Sequence, residues 1–163
     1  MDINKLNTGE KVMGISGIAL LIFSFFPWLG FSYANISASY SAWHFTLGWI
    51  AVVLGVVLAG LVIAKAAGAD IPALGNLKWA HIFLAVTTLV FVLIVIKLIA
   101  GPGTGGVSVP GLSKDRKIGI FLGLVASAGL MAGAYLNAKE TGDLPGALGG
   151  AKGGSASPPP PTA

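Results

Sequence analysis

Residues 23–49 read FSFFPWLGFSYANISASYSAWHFTLGW. The stretch holds no Asp, Glu, Lys or Arg, carries aromatics toward both ends, and fills its middle with small polar residues. It lies inside a longer uncharged window that runs from Lys11 to Lys65. A membrane-crossing helix needs roughly 20 mostly apolar residues, so the window is too long for a single span. The Ser/Asn/Tyr-rich segment at 32–42 divides it, which predicts two helices and a loop.

Two further uncharged windows follow, Trp79 to Ile96 and Ile118 to Ala138. Together they predict spans at about 13–31, 43–64, 79–100 and 118–137. The chain of 163 residues is 55% hydrophobic and only 10% charged, where soluble domains carry roughly a quarter charged residues. A soluble helical bundle would need a polar stripe on each helix, and these segments have none. The expected fold is therefore all-α, a polytopic four-transmembrane-helix bundle over 1–137, followed by a disordered Ala/Gly/Pro-rich tail over 138–163. The amino terminus also has the lysines and apolar run of a signal peptide. That run, Val12 to Phe31, exceeds the usual 7–15-residue core and contains Pro27-Trp28, so a retained span is expected.

Asn7, with Glu10 three residues on, has the pattern of a capping box and predicts a helix start near Thr8. Placing both termini in the cytoplasm puts Lys5, Lys11, Lys65, Lys78, Lys139 and Lys152 inside and leaves Lys97, Lys114, Arg116 and Lys117 outside. The positive-inside rule favours that orientation. Trp28, Trp43 and Trp49, with Tyr33 and Tyr40, then read as interface anchors of the outer headgroup level, and Trp79 as their inner counterpart. The net charge of +4 fits topology signalling. No basic run with interleaved aromatics points to nucleic acid.

Residues 101–106, GPGTGG, contain G-x-G-x-x-G but follow a span instead of a strand, so a flexible loop is expected there. Ser113, with Asp115, is expected to cap the fourth helix. His44 and His81 belong to opposite ends of the expected bundle, across roughly 30 Å of hydrocarbon, and cannot share a metal within one chain. With no cysteine, no nucleophile–base pair and no carboxylate dyad, neither metal, cofactor nor catalytic residue is assigned. Asn35-Ile36-Ser37 is a glycosylation sequon, relevant only in a cell that glycosylates. The strongest pattern is one of packing. Gly55-x-x-x-Ala59, Gly119-x-x-x-Gly123 and Gly129-x-x-x-Gly133 place small residues at the spacing that lets helices approach closely in lipid.

The capped NTGEK start, the segment EKVMGISGIALLIFSFFPWLGF, four spans and a Gly/Pro-rich end resemble small uncharacterised four-span integral membrane proteins of high-GC Gram-positive (actinobacterial-type) bacteria. The resemblance implies a bacterial plasma (inner) membrane and no assigned chemistry. The expected function is non-enzymatic: an accessory or scaffold subunit of a membrane assembly, held in the bilayer and paired with a membrane-protein partner or another copy of itself. The alternative expectation is binding or transport of a lipidic or other apolar small molecule. Helix four, with small residues on more than one face, favours the first; the uncharged first loop, as a mouth, would serve the second.

Overall fold

The computed structural model describes residues 6–33, 35–69, 78–101 and 111–145. Four helices dominate: α1 (Thr8–Ser24), α2 (Thr46–Ala66), α3 (Trp79–Ala100) and α4 (Ile118–Glu140). Three strands, β1 (Pro27–Tyr33), β2 (Ile36–Ser41) and β3 (Leu112–Arg116), form one antiparallel sheet in the order β2-β1-β3. The fold is thus mostly helical but not purely all-α. α2, α3 and α4 are each long and apolar enough to cross a membrane.

The expected capping box is present: Asn7 Oδ1 accepts from the Glu10 N–H at 2.7 Å, and Glu10 Oε2 accepts from the Asn7 N–H at 3.1 Å. α1 ends earlier than the 13–31 span expected. Pro27 has no N–H to donate and disfavours helical backbone at Phe26, so α1 stops at Ser24. With 17 residues it measures ~26 Å, shorter than the hydrocarbon core. The chain then enters β1, and the opening stretch of sequence is a β-hairpin. Its signal is a two-residue alternation, Ile36-Ser37-Ala38-Ser39-Tyr40-Ser41, that hydropathy windows average away.

The register slips between Pro27 and Leu29, leaving Trp28 as a bulged residue free to turn toward α4. Trp28 was expected at the membrane interface; it is instead fully buried. Its Nε1 donates to the Phe23 carbonyl at 2.9 Å, satisfying one of the last acceptors of α1. Ser113 and Asp115 lie in β3 and do not cap α4, whose first helical residue follows Lys117 without a side-chain cap. β1 needs a partner on its second edge, and that pairing takes Ser113 and Asp115 out of cap position.

α1 runs antiparallel along α4. A Cβ on Gly133 would fall 2.7 Å from the Met13 nitrogen, one on Gly129 2.4 Å from Ser16 Oγ, and one on Gly123 2.7 Å from the Trp28 ring. Residues 9–28 therefore accompany α4 from Asn137 to Gly119. α2 sits against α1, where a Cβ on Gly17 would meet that of Ala59 at 2.4 Å. The outward surface of the helices is aliphatic, with Ile15, Val57, Ile99 and Val125 all more than half exposed.

A polar-ended cavity where four helix ends meet

The start of α1, the end of α2, the start of α3 and the end of α4 gather at the end of the bundle opposite the sheet. Helix chemistry explains the charges there. Glu10 lies in the first turn of α1 and Lys65 in the last turn of α2, each at the helix end whose dipole it complements. Their side chains form an ion pair, with Glu10 almost fully buried and Lys65 reaching solvent. The pair was not foreseen, although both charges border the long uncharged window. Antiparallel neighbours of similar length bring such flanking residues to one level.

Asn7 Nδ2 donates to Oδ1 of the buried Asn137 at 2.6 Å, tying the start of α1 to the end of α4. Gly9 N–H donates to Glu140 Oε2 at 3.4 Å, and the Thr141 hydroxyl donates to the Asn137 carbonyl at 3.0 Å. Beyond α4, Asp143 pairs with Lys78, the residue preceding α3. That hydrogen bond holds the Asp143 carboxyl below its ordinary value.

These groups surround a cavity of about 460 Å³, lined by Glu10, Lys65, Trp79, Phe83, Asn137 and Asp143 among others. The Trp79 and Phe83 rings stand 5.7 Å apart at 43°. Trp79, expected as an interface anchor, forms a wall of the cavity. A second hollow of about 370 Å³ runs between α1 and α2, lined by aliphatic groups of Ile15, Ile18, Val62 and Ile63, and shares Glu10 with the first. A 190 Å³ hollow on the sheet is lined by Ser32, Ser37, Ser39 and Lys117.

The six small residues singled out by spacing all contact other parts of this chain. Gly55 faces Leu20 and Leu130, Ala59 faces Gly17, and Gly119 and Gly123 face Trp28; Gly129 and Gly133 face α1. Trp43 and Trp49 are partly exposed at the sheet end, where Trp43 Nε1 donates to Ser24 Oγ at 3.1 Å. His44 packs its ring on Tyr40 at that same end, while His81 lies in the first turn of α3 beside the cavity end, so the two are not brought together. Among the described residues no three His, Cys, Asp or Glu side chains cluster to hold a metal. Lys97, buried near the end of α3, lays its ammonium over the Phe45 ring at 4.2 Å. Residues 102–106 of the glycine motif and 146–163 of the expected tail lie outside the described residues. α4 continues past the expected end at 137 to Glu140.

Asn137 as a wall residue is barely legible in the sequence. It does follow the same four-residue step, Gly129-x-x-x-Gly133-x-x-x-Asn137, and so continues the face that packs on α1. Comparisons with protein-family models, with curated proteins and with solved structures each find no match to this chain.

Proposed function

We propose that the chain is a non-enzymatic four-span membrane protein that binds a lipidic or other apolar small molecule in the cavity at its helix ends. The observation that carries this reading is the cavity itself, about 460 Å³ with aromatic and polar walls, within the size range of small-molecule sites. Four crossings are supported by the partnership of α1 with α4. Residues 9–28 accompany a helix of ~35 Å, so the short α1 and the start of β1 together traverse the same depth. The aliphatic outward residues Ile15, Ile18 and Ile22 of α1 suit lipid contact. The sheet joins the first and third connections at one end, as four crossings require.

We place the cavity end and both termini in the cytoplasm, on the balance of six basic residues against four. The resemblance stated above favours a bacterial plasma membrane. The scaffold reading rested on small-residue faces available to a partner. Those at Gly55 and Ala59 and along α4 are occupied by contacts within the chain, so they no longer speak for one.

The test is purification of the full chain in mild detergent, followed by mass spectrometry of bound small molecules. Ala69→Trp, at an exposed position on the cavity wall, serves as the blocked control. A stoichiometric small molecule that is lost in Ala69→Trp is the expected result. A native chain that emerges empty, or a ligand indifferent to the block, refutes the reading.

A further inference from the structure

One polar group in the cavity wall has no partner among the described residues, and its donor character follows from the network around it. Asn7 Oδ1 accepts the Glu10 N–H at 2.7 Å, a bond only an oxygen can accept, so the other end of the Asn7 amide is its NH₂. That NH₂ donates to Asn137 at 2.6 Å, so the Asn137 atom it meets is Oδ1. The free end of the Asn137 amide is therefore the Nδ2 donor. Asn137 is 3% exposed and lines the cavity. No fully enclosed side-chain nitrogen or oxygen among the described residues lacks a partner, so Nδ2 reaches accessible space. The space that Asn137 lines is the cavity.

The remaining wall groups narrow what Nδ2 can meet. Both Glu10 oxygens already accept, one from Lys65 and the other from the Asn7 N–H. Asp143 is engaged by Lys78. Each carboxylate is balanced by a lysine, so the wall carries no net charge that calls for a charged ligand. The single Thr141 hydroxyl proton is already claimed by the Asn137 and Ala138 carbonyls and the Asp143 carboxylate. The unmet requirement is a neutral acceptor, and leaving a buried donor without one costs about 1–3 kcal/mol.

We propose that the cavity holds its ligand through a carbonyl oxygen accepting from Asn137 Nδ2–H, with the ligand's apolar body against Trp79 and Phe83. This rests on the reading of the cavity as a ligand site. Two sources share that chemistry: the ester carbonyl of a glycerolipid and the ring carbonyl of a quinone.

The test uses the full chain in an alkyl maltoside and three probes: a short-chain benzoquinone, dioctanoyl phosphatidylcholine and its diether analogue. Retention is read by native mass spectrometry for the native chain, Ala69→Trp and Asn137→Asp. Asn137→Asp keeps an oxygen to accept from Asn7 and replaces the NH₂ donor with a second oxygen. Retention of the quinone, or of the diester about tenfold above the diether, with roughly tenfold loss in Asn137→Asp, is expected from one hydrogen bond. Quinone alone names the ring carbonyl as the source; diester over diether names the ester. Should Asn137→Asp fail to fold, the probe comparison on the native chain decides by itself. Equal retention of diester and diether without quinone, or no loss in a folded Asn137→Asp, overturns the carbonyl contact. The ligand site survives that result provided Ala69→Trp still blocks binding. If the native chain retains none of the three probes, the carbonyl contact is overturned, and the mass spectrum of the purified chain decides separately whether the cavity holds anything.

Discussion

The α1–α4 seam is set by glycines, and alanine at each reads how closely the backbones approach. A Cβ on Gly9 would stand 2.2 Å from the Asn137 nitrogen and 2.5 Å from the Gly133 oxygen. A Cβ on Gly133 would stand 2.7 Å from the Met13 nitrogen and 2.8 Å from the Gly9 oxygen. These neighbours are backbone atoms, which cannot swing aside as a side chain can, so the helices must separate. Overpacking of this kind costs about 1–3 kcal/mol, with backbone contacts toward the upper end. Alanine returns about 0.5–1 kcal/mol of helix propensity in a helix interior. Gly133→Ala should therefore lose about 1–2 kcal/mol net, and Gly9→Ala, in the first turn of α1, about 2–3 kcal/mol. Gly60→Ala is the internal control: it has no atom within 4 Å of its Cβ and should gain about 0.5–1 kcal/mol. Because Gly9 and Gly133 face one another, a separation forced by one relieves the other, and the double variant should cost less than the sum. Reversible unfolding in mixed detergent micelles, followed by far-UV circular dichroism, measures all four. Gly9→Ala and Gly133→Ala variants as stable as Gly60→Ala would show that the seam is looser than these distances require.

Trp28→Ala should cost about 3–5 kcal/mol, since a fully buried ring against Gly119 and Gly123 is removed; the same unfolding titration reports it, and a loss under 1 kcal/mol would contradict the packing. Lys65→Met strips the counter-charge from buried Glu10 and should destabilise by less than the ~3–5 kcal/mol of a fully enclosed pair, because Lys65 is partly exposed. Adding Glu10→Gln to Lys65→Met should recover much of that loss, and a double variant worse than Lys65→Met alone would count against the pair. The Asp143 carboxyl is held below its ordinary 3.8 by Lys78, so its contribution is complete above that value and is lost as the pH falls through the lower folded value. Thermal unfolding from pH 7 down to pH 3 should show a late acid loss in the native chain that Asp143→Asn lacks; identical acid profiles would remove the link.

The uncharged windows made α2, α3 and α4 legible, because a run of apolar residues long enough to cross lipid has few other uses. The capping box was legible too, since Asn7 and Glu10 act within one turn. The sheet was not. Pro27 fell inside the expected span 13–31, yet with β2 and β3 available as partners its missing N–H marks the switch to strand. Trp28 illustrates a second limit. Tryptophan suits both a headgroup and a core, and only the bulge that turns it onto Gly119 and Gly123 decides between them. The cavity was hidden because its walls come from four helix ends, and no local spacing joins Glu10, Lys65, Trp79 and Asn137.

The two ends of the bundle are closed by different means, and this explains why the cavity lies where it does. At the sheet end, backbone ladders cross from β1 to both β2 and β3, and Arg116 adds hydrogen bonds to the Leu98 carbonyl at 2.7 Å and the Ile99 carbonyl at 3.3 Å. That closure leaves the backbone little freedom to part. At the other end no strand is present among the described residues. Side-chain bonds hold it: Asn7 to Asn137, Glu10 to Lys65 and Lys78 to Asp143. Side chains span wider gaps than backbone ladders, so the ends of α2 and α3, tied by Glu10–Lys65 and Lys78–Asp143, can stand off from the close α1–α4 pair around a cavity. The ion pairs to Lys65 and Lys78 yield more readily than a ladder, so on the proposed function this is the end where a ligand would enter.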